Sequence, residues 1–565
     1  MTADVHSDPT ASDPTASDST VSDATASGDG GVRQMIADAQ AILGIELGST
    51  RIKACLIGPD FAPIAIGSHE WQSELVNGRW TYSLDAVWSG LRACYADLLT
   101  SVEQRYGVRP TGYRAIGVSA MMHGYLAFDA AGELLVPFRT WRNTSTGPAA
   151  AELTDMLGVN VPLRWSIAHL YQAVLDGEPH VPEIATLTTL AGYVHWRLTG
   201  RSVLGVGDAS GMFPIDPQTG GFDASLLAKV DRLIADRVPS ATVTDLLPQV
   251  LPVGQEAGAL TVEGARLLDP TGTLRPGIPF CPPEGDAGTG MVATNSVAPR
   301  TGNVSVGTSV FAMVVLEKPL AAVHSEVDVV ATPAGDPVAM VHCNNGATEL
   351  AAWAGVFGRF AAATGTPTDP DAVYAALLTE ALAGEPDGGG MLAYNYLSGE
   401  PIVGLADGRP LFARTPDSRL TLANLMRTVV YSVFATLSLG MAVLAEEGVR
   451  VDTLVAHGGL FRTPGAAQQL LATAMGAPVA VAGVAGEGGA WGIALLAAYL
   501  HAAPAQGLTD FLAREVFRDG SRSVAEPEQR DVDGFAAFLD RFRRGLPLQR
   551  AAAEVLALAP GEENR

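Results

Sequence analysis

A chain of 565 residues with a formal net charge of −24 is too long for one hydrophobic core and too acidic to favour nucleic acid or an anionic membrane surface. With 47% hydrophobic and 17% charged residues it has the composition of a globular protein, and two large domains with additions are expected. Its four cysteines (Cys55, Cys94, Cys281, Cys343) lack metal-ligand spacing and no secretory leader precedes Arg33, which predicts buried thiols in a reducing, cytoplasmic setting.

Residues 1–40 hold seven aspartates and one arginine. They offer too little apolar surface to offset the entropy of ordering and are predicted to form a disordered acidic extension. Ile42 to Ile57 then reads as strand, Gly48-Ser49-Thr50 turn and strand, with a third strand from Pro63 to Gly67. Glycine lets an anion approach the backbone and hydroxyls supply donors, although an ordinary hairpin turn has the same composition. Asp85 to Val102 has the spacing of an amphipathic helix, with Val87, Leu91, Cys94 and Leu98 on one face. Tyr113 to Ser119 reads as a short buried strand ending in Met121-Met122-His123-Gly124. Strand ends of this kind hold ligands in α/β folds, and a lone histidine there is equally a structural residue. Trp141-Arg142-Asn143 follows a further strand, and Trp141 reads as a packing anchor or a ligand contact. A helix is predicted from Leu187 to Leu198.

Pro282 to Gly290 places Gly285-Asp286 at the mouth of a helix, after a strand from Gly277 to Cys281. Taken alone, Asp286 reads as an N-cap kept ionised by the helix dipole. A second hairpin, Thr301 to Val315, carries the turn Gly307-Thr308-Ser309 and echoes the first. Two such hairpins, each opening half of the chain, predict a duplicated domain that grips phosphates from both sides. Val429 to Ala445 is nearly long enough to span a membrane, but Ser432, Thr436 and Ser438 predict a buried interdomain helix instead. Leu454 to Phe461 runs as a strand into Gly458-Gly459. There a flat ring could lie on backbone free of Cβ atoms, or the chain simply turns into a helix from Pro464. Ala485 to Gly492 opens another helix, and helical stretches at Phe535 to Arg544 and Leu548 to Leu558 close the chain.

From Ile42 to the helices beyond Leu508, these features resemble the FGGY family of carbohydrate kinases, within the actin- and hexokinase-like ATPase superfamily. The resemblance implies an α/β fold with two ribonuclease H-like (actin-like ATPase) domains flanking an interdomain cleft. Residues 41–297 would form the sugar- and phosphate-binding domain and 298–507 the ATP-binding domain, with a helical extension over 508–565. ATP and Mg²⁺ are the implied cofactors, a small sugar the implied partner, and Asp286 the implied catalytic base. Met122-His123-Gly124 is similar to the sugar-side Met-His-Gly of xylulokinases. Met122, His123, Trp141, Arg142 and Asp286 are therefore the implied sugar contacts, with a ketopentose such as xylulose as the leading substrate. Ribulose, gluconate or another polyol stays open, as does a sugar- or nucleotide-binding regulator with weakened catalysis.

By the same resemblance, Gly48, Ser49, Thr50, Lys53, Gly307, Thr308 and Ser309 would hold phosphates, and Gly458 and Gly459 the adenosine. Lys53 also reads as a solvated strand residue. The family's first hairpin begins with Asp where this chain has Glu46, so the metal contact implied for Glu46 and Asp286 would pass through water or be weakened. Asn143 stands where relatives carry an acid, which implies an altered hydroxyl pattern. A homodimer is left open.

Overall fold

The computed structural model describes residues 30–237, 242–463, 465–482, 488–518 and 522–556. Most of the acidic extension therefore lies outside the described residues. Its last part differs from expectation: residues 30–37 are helical, because Val32, Met35 and Ile36 share one helical face that packs onto the first core.

Strands β1 (Ile42–Leu47), β2 (Arg51–Ile57) and β3 (Pro63–Glu70) form an antiparallel meander. Helix α1 (Leu84–Tyr106) starts at Ser83, whose Oγ accepts the Ala86 N–H at 3.1 Å. Its predicted face, Val87, Leu91, Cys94 and Leu98, is buried and lies on β3. Gly67 permits that approach, since a Cβ there would meet the Cys94 carbonyl oxygen at 2.4 Å. Strand β4 (Ala115–Ala120) runs parallel to β1, and β5 (Glu284–Gly285) parallel to β4. The strand expected from Gly277 to Cys281 is reduced to single bridges at Pro279 and Phe280, and β5 takes its place. The first sheet is thus ordered β3-β2-β1-β4-β5.

Helix α2 (Asp286–Ala293) leads out of β5. Strands β6 (Thr301–Val306), β7 (Val310–Val315), β8 (Asp328–Ala331) and β9 (Pro337–Cys343) follow. Helix α3 (Leu422–Glu446), β10 (Thr453–His457), α4 (Ala466–Met475), β11 (Val479–Ala482) and α5 (Gly488–Tyr499) complete the repeat, with β12 (Arg522–Ala525) and α6 (Gln529–Val555) after it. The second sheet is ordered β8-β9-β7-β6-β10-β11-β12. Within it, β9-β7-β6-β10-β11 reproduces the order and the parallel or antiparallel sense of the first sheet. The duplication predicted from two similar hairpins is therefore a duplication of whole sheets.

Packing departs from chain order in two places. Helix α5 belongs to the second half by position, yet it lies against β1 and β4 of the first sheet. Gly44 and Gly117 face each other there, and a Cβ on either would stand 2.1 Å from the Ala490 oxygen or 2.7 Å from the Ile493 oxygen. Leu508, Phe511 and Leu512 join the same core, so the chain after residue 507 opens on the first body before β12 and α6 return to the second. Helix α3 is buried within the second core and not between the bodies, because its aromatic and β-branched residues pack on β9, α4 and α6. The closing helix α6 is continuous through Pro547, held by Phe535, Phe538 and Phe542. All four cysteines are buried and none forms a disulfide.

Candidate active site

The two bodies share a cavity of about 720 Å³. Its walls come from strand ends and turns of both sheets. Asp286 is the first residue of α2, with Gly285 at the N-cap position assigned to Asp286 from sequence. Its Oδ1 accepts the Met122 N–H at 3.0 Å, which ties the start of α2 to the end of β4. Burial raises the Asp286 carboxyl to about 6, against the pull of the amides of Met122, Ala287 and Asp286 itself. The helix start does favour the anion, as expected, but desolvation outweighs it.

Glu46 sits on the same cavity, opposite Lys53 in the β1–β2 register. Burial and then the Asp286 charge raise it to about 7, while Lys53 and the amides of Ala490 and Gly489 lower it. The extra methylene relative to Asp thus carries the carboxylate to the N-terminus of α5, an anion-favouring position. Gly489 is required for this approach, since a Cβ there would lie 2.3 Å from Glu46 Oε1. Behind β5, Glu284 and Asp208 form a second buried acid pair. The Asp208 N–H donates to Glu284 Oε2 at 2.8 Å, and Thr189 Oγ1 donates to Asp208 Oδ2 at 2.6 Å.

The two glycine-hydroxyl turns meet the cavity through Ser49 and Ser309. The Gly48 amide donates to the Arg51 oxygen at 3.0 Å and the Gly307 amide to the Ser309 oxygen at 2.9 Å, so each glycine amide is engaged in closing its own turn. Thr50, Gly307 and Thr308 are exposed beside the cavity. Aromatic donors brace the first turn: Trp71 Nε1 to the Gly48 oxygen at 2.7 Å, Tyr82 OH to the Ser49 oxygen at 2.5 Å, and Trp141 Nε1 to Ser49 Oγ at 3.3 Å. Gly458 and Gly459 line the second body's wall. Gly458 has φ 108° and a Cβ on it would meet the Val306 oxygen at 2.3 Å, so only glycine fits.

Met122, His123 and Trp141 also line the cavity, as do Arg164, Phe311, Met340 and His342. His123 occupies the left-handed region at φ 70°, a conformation that costs a non-glycine residue about 1 kcal/mol and often marks a functional site. Its Nδ1 lies 3.2 Å from the Gly211 carbonyl oxygen. A carbonyl only accepts, so Nδ1 carries the hydrogen. Burial and the neighbouring Arg164 hold the ring neutral, which makes Nε2 an acceptor. Nε2 has no partner among the described residues. Phe311, His342 and Arg164 escaped the sequence reading. Phe311 and His342 are cross-strand neighbours on β7 and β9, a proximity visible only once the sheet is formed.

Two sequence assignments change. Arg142 stacks on Trp80, 3.8 Å from its ring centroid, and donates to Ser73 Oγ at 3.0 Å. It does not line the cavity, because cation–π stacking holds the guanidinium on the outer surface. Arg142→Ala is expected to leave the KM of the sugar within about twofold, as exposed stacks contribute only about 0.5–1 kcal/mol, and to stability alone; steady-state kinetics checks it. Asn143 is likewise structural. Its Oδ1 accepts the Trp80 N–H at 2.8 Å and its Nδ2 donates to the Trp80 oxygen at 2.8 Å. An aspartate could not make the second bond.

Repeated sheets around one cleft, with an acid at a helix start and a glycine-hydroxyl turn from each side, define a mixed α/β protein of two similarly built domains. The chain belongs to the FGGY family of carbohydrate kinases: the models of the family's N-terminal and C-terminal domains match residues 41–292 and 302–501. The xylulose kinase of Streptomyces coelicolor is 28% identical over 170 residues, a stretch covering 28% of this chain and 33% of that protein. Two solved structures share the fold. A xylulose kinase from Lactobacillus acidophilus is 17% identical with a TM-score of 0.71, covering 93% of this chain and 100% of its own. A gluconate kinase from the same organism is also 17% identical, with a TM-score of 0.70 and the same coverage.

Proposed function

We propose that the protein transfers the γ-phosphoryl group of ATP to a hydroxyl of a small sugar, with Asp286 as the general base. The observation that carries this reading is the position of Asp286. It lies at the start of α2, on a cavity whose walls include Ser49 and Ser309 from the two hairpin turns. Phosphoryl transfer needs alignment, charge neutralisation and exclusion of water more than covalent work by the protein. Asp286 accepts the proton of the attacking hydroxyl. Ser49, Ser309 and Lys53 face the phosphates, Gly458 and Gly459 the adenosine. Met122, the Nε2 lone pair of His123, and Trp141 face the sugar. Four buried cysteines with no disulfide among them support a reducing compartment such as the cytoplasm.

Mg²⁺ fits the donor set. Two carboxylates, Glu46 and Asp286, share one wall, and the charge of Asp286 raises Glu46, a repulsion that a cation relieves. Among the described residues no cluster of three or more His, Cys, Asp or Glu is arranged to hold a metal, as suits an ion brought by the nucleotide and held largely through water. When bound, the ion neutralises phosphate charge. Glu46→Gln is expected to raise the Mg²⁺ concentration for half-maximal turnover by about tenfold or more. An unchanged Mg²⁺ dependence, with only a shifted melting temperature, would leave Glu46 as an anchor for α5 alone.

The substrate we favour is a ketopentose, xylulose before ribulose. The support is Met122-His123-Gly124 together with the relative from Streptomyces coelicolor; the gluconate kinase, as similar in fold as the xylulose kinase from Lactobacillus acidophilus, keeps an aldonate in play. The deciding experiment is sugar-dependent ADP release with Mg-ATP over D- and L-xylulose, D- and L-ribulose, gluconate and glycerol. Turnover with one of them names the acceptor. ATP binding without stimulation by any sugar would overturn the kinase reading in favour of a regulator.

A further inference from the structure

Arg164 belongs to no motif and precedes helix Ser166–Leu175 of the first body. Its guanidinium lines the cavity beside His123 and His342, and its charge lowers the pKa of both imidazoles. Its Nη2 donates to Asp328 Oδ2, at the start of β8, the edge strand of the second sheet. The pair spans the two bodies. Asn160 Nδ2 reinforces it, donating to the Val327 oxygen at 3.0 Å and to Asp328 Oδ1 at 3.3 Å. Further along β8 the Ala331 N–H donates to Ser210 Oγ at 2.9 Å. Arg164 Nε is buried and has no partner among the described residues.

A half-buried arginine whose Nε is buried without a partner among the described residues, on a cavity wall and aimed by an acid from the opposite body, is costly unless something else uses it. We propose that Arg164 is a specificity-determining residue that donates to a sugar oxygen, and that Asp328 positions it, so the sugar site is complete only when the two bodies meet at β8. His123 Nε2 accepts from a hydroxyl while Arg164 donates to a neighbouring oxygen, a donor–acceptor pair suited to adjacent oxygens on a polyhydroxylated chain. The inference rests on the sugar-kinase reading and adds a recognition residue that no motif of this chain carries.

The test combines Arg164→Met, Arg164→Lys, Asp328→Asn and the swap Arg164→Asp with Asp328→Arg. Each is measured for the KM of the sugar that the wild-type enzyme phosphorylates, for the KM of ATP, and for melting temperature. Sugar binding is followed separately by the fluorescence of Trp141, on the cavity wall. Arg164→Met is expected to raise the sugar KM about tenfold or more while the ATP KM stays within about twofold, and Arg164→Lys should recover part of the loss. Asp328→Asn should move the sugar KM in the same direction by less. The swap should regain the melting temperature lost in either single variant and still leave the sugar KM raised. An unchanged sugar KM in both Arg164 variants overturns the proposal, as does a swap that restores sugar KM along with stability. Sugar binding without turnover, weakened by Arg164→Met, would sink the kinase reading and keep Arg164. Turnover untouched by Arg164→Met would do the reverse.

Discussion

Asp286→Asn is expected to lower sugar-dependent turnover by about 10²- to 10⁴-fold, the usual worth of a positioned general base, while the protein stays folded. The substitution keeps shape and the bond from the Met122 amide but removes the site that takes the proton. The same group sets a pH profile. A base must be ionised to act, and Asp286 lies at about 6, so kcat should fall roughly tenfold per unit below about pH 6. Because Glu46 interacts with it and lies at about 7, the observed midpoint belongs to the pair. Stability runs in the opposite sense. Both carboxyls are raised above their ordinary values, so between about pH 4 and 7 the folded state binds more protons than the unfolded chain, and stability declines as pH rises through that window. Asp286→Asn should therefore melt no lower than the parent at pH 8, and higher if desolvation dominates as the structure indicates. Retained turnover in a well-folded variant would remove Asp286 from the chemistry.

Gly44→Ala should cost about 3 kcal/mol or more of stability, although it adds one methyl group in the middle of a strand. Its Cβ would lie 2.1 Å from the Ala490 oxygen, 2.6 Å from the Ala494 nitrogen and 2.8 Å from the Ala494 Cβ. Those are backbone atoms and the root of a side chain, which no rotamer change can move. Helix α5 would have to lift from the first sheet, and Ile493, Leu495 and Leu496 would lose their packing. Its N-terminus would move with it, and Glu46 would lose the amides of Gly489 and Ala490, so turnover should fall with stability. Gly355→Ala is the control. It is exposed in helix Thr348–Ala363 with nothing within 4 Å of the added carbon, and it should gain about 0.5–1 kcal/mol. Denaturant unfolding of both variants checks the pair. Equal effects would mean that α5 does not press on β1 as described.

Much of the site was legible because its parts are local. A strand, a glycine-hydroxyl turn and a second strand form a hairpin from contacts a few residues apart, and the pattern occurs twice. Gly285-Asp286 at a helix mouth is equally local, and Asp286, Ser49, Ser309, Met122, His123 and Gly458 all reach the cavity. Where the reading failed, distant residues decided. Arg142 was drawn away by Trp80, and Asn143 by the same residue's peptide. The sense of the Asp286 shift turned on burial, which a helix-dipole argument omits.

The sequence by itself determined the duplication, the two hairpins, an aspartate at the mouth of α2 and the apolar face of α1, because short-range periodicity and turn chemistry dictate each of them. Only the tertiary structure decided that α5 returns to the first sheet, that Glu46 ends on that helix, and that Arg164 meets Asp328 across the cleft. Those contacts join segments far apart in the chain, such as Arg164 and Asp328 at a separation of 164 residues. Whether such segments meet depends on how the cores are filled, since desolvation and close packing act between surfaces whatever their order along the chain.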